Sequence, residues 1–191
     1  MKNRLAGGLT AILLLAGCAQ LPAPPPTTAR DAIGDFTVDG RFALKITAID
    51  GRAENSGGRL SWTHANGGDR VLLANPLGIG IAEIDAGPGR ASLRTSDGKT
   101  WVGDDADRLL AEVTGQPLPV SRLPAWLLGR PAAGGQLGRD AQGRPAHLSE
   151  AGWQIDYAYA DDNPDALPTR LTAQGERIEL RLRLETWKTL P

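Results

Sequence analysis

From Phe36 onward, apolar and polar residues alternate one by one along most of the chain. Phe42, Leu44 and Ile46 alternate with Arg41, Ala43, Lys45 and Thr47, while Leu60 and Trp62 alternate with Arg59, Ser61 and Thr63. A period of two belongs to a strand with one buried and one solvated face. The cleanest case is Arg177 to Glu185, where Ile178, Leu180, Leu182 and Leu184 face one way and Glu179, Arg181, Arg183 and Glu185 the other. Further strands are predicted at Arg70 to Ala74, Ile79 to Asp85, Ala91 to Thr95 and Lys99 to Val102, separated by "NGGD", "NPLG", "GPG" and "SDG". Turn signals this frequent mark an antiparallel meander.

The middle of the chain breaks that rhythm. Asp104-Asp105 precede Ala106 to Val113, with Leu109, Leu110 and Val113 at helical spacing and Gly115 as the stop, and Asp suits both the cap and the helix dipole. Ser121 is placed to cap a second short helix carrying Leu123, Trp126, Leu127 and Leu128, with Pro124 in its first turn and Gly129 at its end. A Gly-rich passage, Arg130 to Arg144, reads as a loop before strands resume at Ala146 to Ser149, Trp153 to Tyr159 and Pro168 to Gln174. Ala29 to Ile33 reads as one more short helix. About six strands, two helices and four strands make a long antiparallel sheet, which must curl and cover its inner face; two helices in one insertion suit that opening.

At 191 residues, 41% hydrophobic and 23% charged, the chain is sized for one domain with a real core. A net charge of −1 and a pI near 6.1 give no basic signature, so no nucleic-acid partner is expected. The N-terminus carries Lys2 and Arg4, then an apolar run from Leu5 to Ala16 too short to span a bilayer, which reads as a secretory signal. It ends in Leu15-Ala16-Gly17-Cys18, which resembles the bacterial lipobox, where the Cys is lipidated and becomes the first residue after cleavage. Cys18 is the single cysteine, so no disulfide forms within the chain and lipidation uses up an otherwise stray thiol. Ala19 follows it; Asp at that place resembles an inner-membrane retention signal, so the resemblance implies the outer membrane. Cleavage takes Lys+Arg from 21 to 19 against 22 acids, a charge of −3. Leu21 to Thr28, "LPAPPPTT", is a semi-rigid leash. The organisation is thus a signal peptide at 1–17, a lipidated N-terminus and linker at 18–34, and one domain at 35–191.

Catalytic and metal chemistry finds little purchase. His64 and His147 have no second ligand at metal spacing, Asp104-Asp105 reads as a cap and Asp161-Asp162 as a turn. No nucleophile elbow, Walker loop or dinucleotide fingerprint is present, and the glycines of "GIGIAE" open a strand rather than a helix. No enzyme activity, cofactor or metal is expected. Five Trp residues, at 62, 101, 126, 153 and 187, either pack a core or line a cavity under the helices. The hairpin "LLANPLGIGIAEI" poses a sharper question: Asn75, Pro76 and Gly78 are turn residues, but Leu77 has no turn-making reason to sit at a tip.

The segments "FTVDGRFAL", "GGRLSW", "VLLANPLGIGIAEI", "GQPLPV", "LPAWLLGRP", "GWQIDYAY", "LPTRL" and "RIELRLRLETW", in that order behind a lipobox, resemble the outer-membrane lipoprotein receptor family LolB. The resemblance implies a mainly β fold, an incomplete antiparallel β-barrel covered by a short-helix lid over a hydrophobic cavity. It also implies a lipid-anchored protein of the outer membrane, facing the periplasm, which accepts lipoprotein cargo from the periplasmic carrier LolA and releases it into the inner leaflet, acting as a monomer. In that family the loop equivalent to Asn75-Pro76-Leu77-Gly78 protrudes with an exposed leucine needed for delivery, and Leu77 matches it. Here the loop continues as Ile79-Gly80-Ile81, more apolar than the family pattern. The dry sheet face and the lid supply the expected cavity wall: Phe42, Leu44, Leu60, Trp62, Leu123, Trp126, Leu127, Trp153, Ile155 and Tyr157. A filled core would favour instead an envelope-assembly or scaffolding lipoprotein, and a pocket with converging polar groups a small-ligand binder.

Overall fold

The computed structural model describes residues 29–190. A short 3-10 turn, Ala29–Ala32, leads into six strands: β1 (Phe36–Thr47), β2 (Ala53–Ala65), β3 (Gly68–Ala74), β4 (Gly80–Gly87), β5 (Arg90–Thr95) and β6 (Thr100–Gly103). Helices α1 (Ala106–Thr114) and α2 (Leu123–Leu127) follow. The chain closes with β7 (Gln136–Arg139), β8 (Pro145–Glu150), β9 (Trp153–Ala158), β10 (Arg170–Gln174) and β11 (Ile178–Thr189). The strands form one sheet in the order β6-β5-β4-β3-β2-β1-β11-β10-β9-β8-β7. Every neighbouring pair is antiparallel and β6 and β7 stand at opposite ends, so the barrel is incomplete.

The period-two pattern becomes two faces because the register keeps like with like. Across β1 and β11, Phe42 meets Leu182 and Leu44 meets Leu180 on the inner face, while Arg41 meets Arg183 on the outer face. The inner face is filled at one end, where Phe36, Val38, Leu148, Ile155 and Leu171 are fully buried together with Leu127 of α2. Helix α1 makes a second, smaller core, with Leu109 and Leu110 on Ala91 and Leu93 of β5.

The helix ends follow local chemistry. Asp105 Oδ1 accepts the Arg108 N–H at 2.8 Å, and Gly115, at φ 71°, donates its N–H to Ala111 O at 2.8 Å. Ser121 does not cap α2, whose N-cap is Arg122 with no side-chain capping bond to the helix backbone. Ser121 instead spends its N–H (2.9 Å) and its hydroxyl (2.6 Å) on the Asp107 carboxylate of α1, tying the two helices together. The passage 130–144 is not all loop, because β7 lies within it and pairs Leu137 with Leu148. One apolar residue is too weak a signal for a strand whose order comes from backbone pairing at a sheet edge. Residues of the expected linker also dock: Arg130 Nη2 donates to the carbonyls of Arg30, Asp31 and Ile33, and Arg30 is buried.

Candidate functional site: a dry cavity and an exposed loop tip

Between the upper inner face of the sheet and the two helices lies a cavity of about 320 Å³. Its wall is Phe42 and Leu44 of β1, Leu60 and Trp62 of β2, Val71 and Leu73 of β3, Ala82 and Ile84 of β4, Leu93 of β5, and Leu180 and Leu182 of β11. Leu110 and Val113 of α1, the connector Leu118-Pro119-Val120, and Leu123 and Trp126 of α2 form the roof, with Trp153 of β9 at the side. Asp69, Thr95 and Thr114 are the polar side chains at the wall. All three are already engaged, the Thr95 hydroxyl by donating to Asp97 Oδ1. Asp69 Oδ1 accepts from Trp62 Nε1 and pairs with His64 Nδ1, each at 2.8 Å, and the Thr114 hydroxyl donates to Leu110 O at 2.6 Å. The result is a surface that offers an apolar guest contact and a polar guest almost no partner.

Seven of the ten side chains expected at the wall reach it: Phe42, Leu44, Leu60, Trp62, Leu123, Trp126 and Trp153. Leu127, Ile155 and Tyr157 do not. Along β9, Trp153 lies at the cavity, whereas Ile155 and Tyr157, on the same face, lie one and two pleats further into the filled end. Ile155 packs there beside Leu127, and the Tyr157 hydroxyl donates to Trp126 O at 2.7 Å. Burial pushes the Tyr157 phenol well up, so it stays a neutral donor bracing α2 from below. The wall residues missed from sequence, such as Val71, Leu73, Ala82, Ile84 and Leu93, occupy the inner face of strands whose alternation was visible. The missing information was their register, which sets Val71 and Leu73 opposite Trp62 and Leu60, Ile84 and Ala82 opposite Val71 and Leu73, and Leu93 opposite Ile84.

Trp126 and Trp153 meet at 5.7 Å between ring centroids, tilted by 44°. Trp187 packs on Phe36 at the filled end, and Trp101 joins the α1 cluster. The five tryptophans therefore divide between cavity wall and core.

The hairpin tip is held open by one side chain. Asn75 Oδ1 accepts the N–H groups of Leu77 and Ile79, each at 3.0 Å, while Gly78, at φ 88°, donates to Asn75 O at 2.9 Å. Closed on itself in this way, the turn has no sheet surface beneath Leu77, which is 85% exposed, with Ile79 at 63%. Leu77 is thus held out into solvent.

The sequence model for the family described as "Outer membrane lipoprotein LolB" matches residues 34–187. The chain belongs to the LolB family. Outer-membrane lipoprotein LolB of Dechloromonas aromatica is 53% identical over 184 residues, covering 96% of both chains. The Bordetella petrii LolB is 40% identical over 186 residues, 95% of this chain and 91% of the relative. Among solved structures, a LolA superfamily protein from Nitrosomonas europaea aligns with a TM-score of 0.45 and 13% identity, over 82% of this chain and 86% of its own. Cys18, where LolB-like lipidation is expected, lies outside the described residues.

Proposed function

We propose that this LolB-family chain is the outer-membrane receptor that accepts lipoproteins from the periplasmic carrier LolA and places them in the inner leaflet. Lipid on Cys18 holds it there, after removal of residues 1–17, and the Pro-rich segment Leu21 to Thr28 joins that anchor to the domain. The observation that supports this reading is the cavity: an apolar chamber whose polar side chains are largely satisfied, beneath two helices joined by the Ser121–Asp107 bonds. Acyl chains cannot cross water unaided, since exposing each CH₂ costs about 0.8 kcal/mol. A series of sites, each binding the chains better than the last and ending in the bilayer, needs no nucleotide and no covalent step. At about 320 Å³ the chamber is at the lower end for ligand pockets, so long chains require α1 and α2 to shift outward. Leu77 then enters the membrane interface, its burial contributing roughly 1.5 to 3 kcal/mol.

The test is a transfer assay with the mature chain carrying Cys18→Ala, mixed with carrier loaded with radiolabelled lipoprotein. Label moving onto this chain and then into liposomes is the expected result. Label remaining on a cognate carrier while this chain is folded overturns the reading in favour of a scaffolding role.

A further inference from the structure

The outer face of the sheet carries an arrangement that the cavity does not explain. In the strand registers, Arg59 of β2 lies opposite Arg41 of β1, Arg41 opposite Arg183 of β11, and Arg183 opposite Arg170 of β10. Four arginines therefore stand side by side in one cross-strand row, all exposed, spanning roughly 14 Å at ~4.8 Å per strand. Like charges directly opposite each other destabilise a sheet, so the row is a local cost in a chain whose net charge is negative. Relief is partial: Glu185 lies 3.2 Å from Arg41 Nε and 3.7 Å from Arg183 Nε, and Asp39 is nearby on β1.

The row ends at the exposed loop. Arg59 is opposite Ala74, the last residue before Asn75, and β2 crosses so closely there that a Cβ on Gly58 would sit 1.9 Å from Ala74 O. Beside this crossing is a shallow outer groove of about 290 Å³, lined by Arg41 and Arg59, by Asp39, Glu185 and Ser61, and by Leu72, 44% exposed, and Ala74. Two guanidiniums, that of Arg41 shared with Glu185, beside the apolar Leu72 and Ala74 match a phosphate with the start of its glycerol and acyl chain.

We propose that this arginine row is a docking surface for anionic phospholipid headgroups, with the groove between Arg41 and Arg59 seating a lipid phosphate beside the Leu77 loop. The inference rests on the reading of the chain as membrane-tethered. It adds to that reading a preference for anionic lipid and a fixed orientation on the bilayer. An arginine near an anionic surface strengthens binding about fivefold, an effect screened within a Debye length.

The experiment is vesicle flotation of the mature chain carrying Cys18→Ala, to which no lipid can be attached, so that only the protein surface binds. Vesicles of phosphatidylcholine alone are compared with vesicles containing phosphatidylglycerol, at low and at high salt. The parent chain is expected to prefer the anionic vesicles about tenfold or more, and to lose the preference in high salt. Arg41→Gln with Arg59→Gln should remove most of that preference, while Arg108→Gln, on the helical lid, leaves it intact. Equal flotation of the parent chain and the double variant with anionic vesicles overturns the proposal. Equal flotation combined with slower cargo uptake by the double variant also overturns it, and assigns the row to an acidic protein partner. Cargo uptake from the loaded carrier, run in parallel, separates the two ideas: no uptake by the parent chain defeats the receptor reading, while the lipid preference stands or falls on flotation alone.

Discussion

Leu77 shows how one side chain acquires a role from its neighbours. Its exposure follows from Asn75, whose amide oxygen takes both local N–H groups and so closes the turn without help from Leu77. Leu77→Glu should therefore leave the thermal midpoint within about 1 °C, since exposed positions contribute little to stability. Cargo uptake should persist while release into liposomes slows about tenfold or more; release at the parental rate would show that the tip does not enter the membrane. Glu150 illustrates the opposite case, a buried charge with a structural task. Its carboxylate accepts from Arg122 Nε at 2.6 Å and from the Ala132 N–H at 2.7 Å, joining β8 to the start of α2 and to the passage before β7. Burial alone would raise its pKa, but these two partners outweigh burial and hold it below the ordinary glutamate value. A depressed carboxylate stabilises the fold above the unfolded pKa of about 4.3, and that contribution is lost as pH falls through the lower folded value. Glu150→Gln should cost about 1 to 3 kcal/mol in urea unfolding at pH 7, discounted for the partial exposure of Arg122. The gap from the parent should narrow as the pH is taken below 4; a constant gap would show that the charge contributes nothing.

At the scale of elements, α2 is a five-residue helix whose position depends on its end. Gly129, at φ 66°, donates its N–H to Trp126 O at 2.9 Å, and a Cβ there would lie 2.1 Å from Pro145 Cγ of β8. Gly129→Ala should both strain the turn and push α2 off the sheet, costing about 2 to 4 kcal/mol. Because Trp126 moves with the helix, its packing on Trp153 should loosen, which tryptophan fluorescence can report; unchanged stability and emission would mean that the lid end is free to adjust. The same element shows what could be read in advance. Pro124 in the first turn and Gly129 at the end were visible as helix punctuation, and so was the amphipathic spacing of α1. The bond from Ser121 to Asp107 was not, because it spans fourteen residues and depends on how two helices meet. Likewise, alternation identified the inner faces of β1, β2 and β9 but not the depth along them. Trp153 and Ile155 carry the same signal, yet one lines the cavity and the other fills the core. Strand β7 was hidden because its order comes from its partner, β8.

At the scale of the whole molecule, the sheet stays open and keeps a hollow where most domains of its size have packed side chains. The open ends are short strands of four residues, β6 and β7, which limits the template they offer to another chain. The hollow has an energetic consequence, because its lining atoms forgo contacts that a filled core would make. Stability and function should therefore oppose each other here, and a single substitution can separate them. Ala82 faces the cavity from β4, opposite Leu73 on one side and Thr95 on the other, and a larger side chain there projects into empty space. Ala82→Phe should stabilise the fold by about 0.5 to 2 kcal/mol, a rise of roughly 2 to 4 °C in thermal midpoint per kcal/mol for a domain of this size. It should at the same time reduce binding of a fluorescent fatty acid, and uptake of lipoprotein from the carrier, about tenfold. If the variant gains stability yet binds acyl chains as well as the parent, the guest does not occupy this chamber, and the carrying surface must lie elsewhere on the sheet.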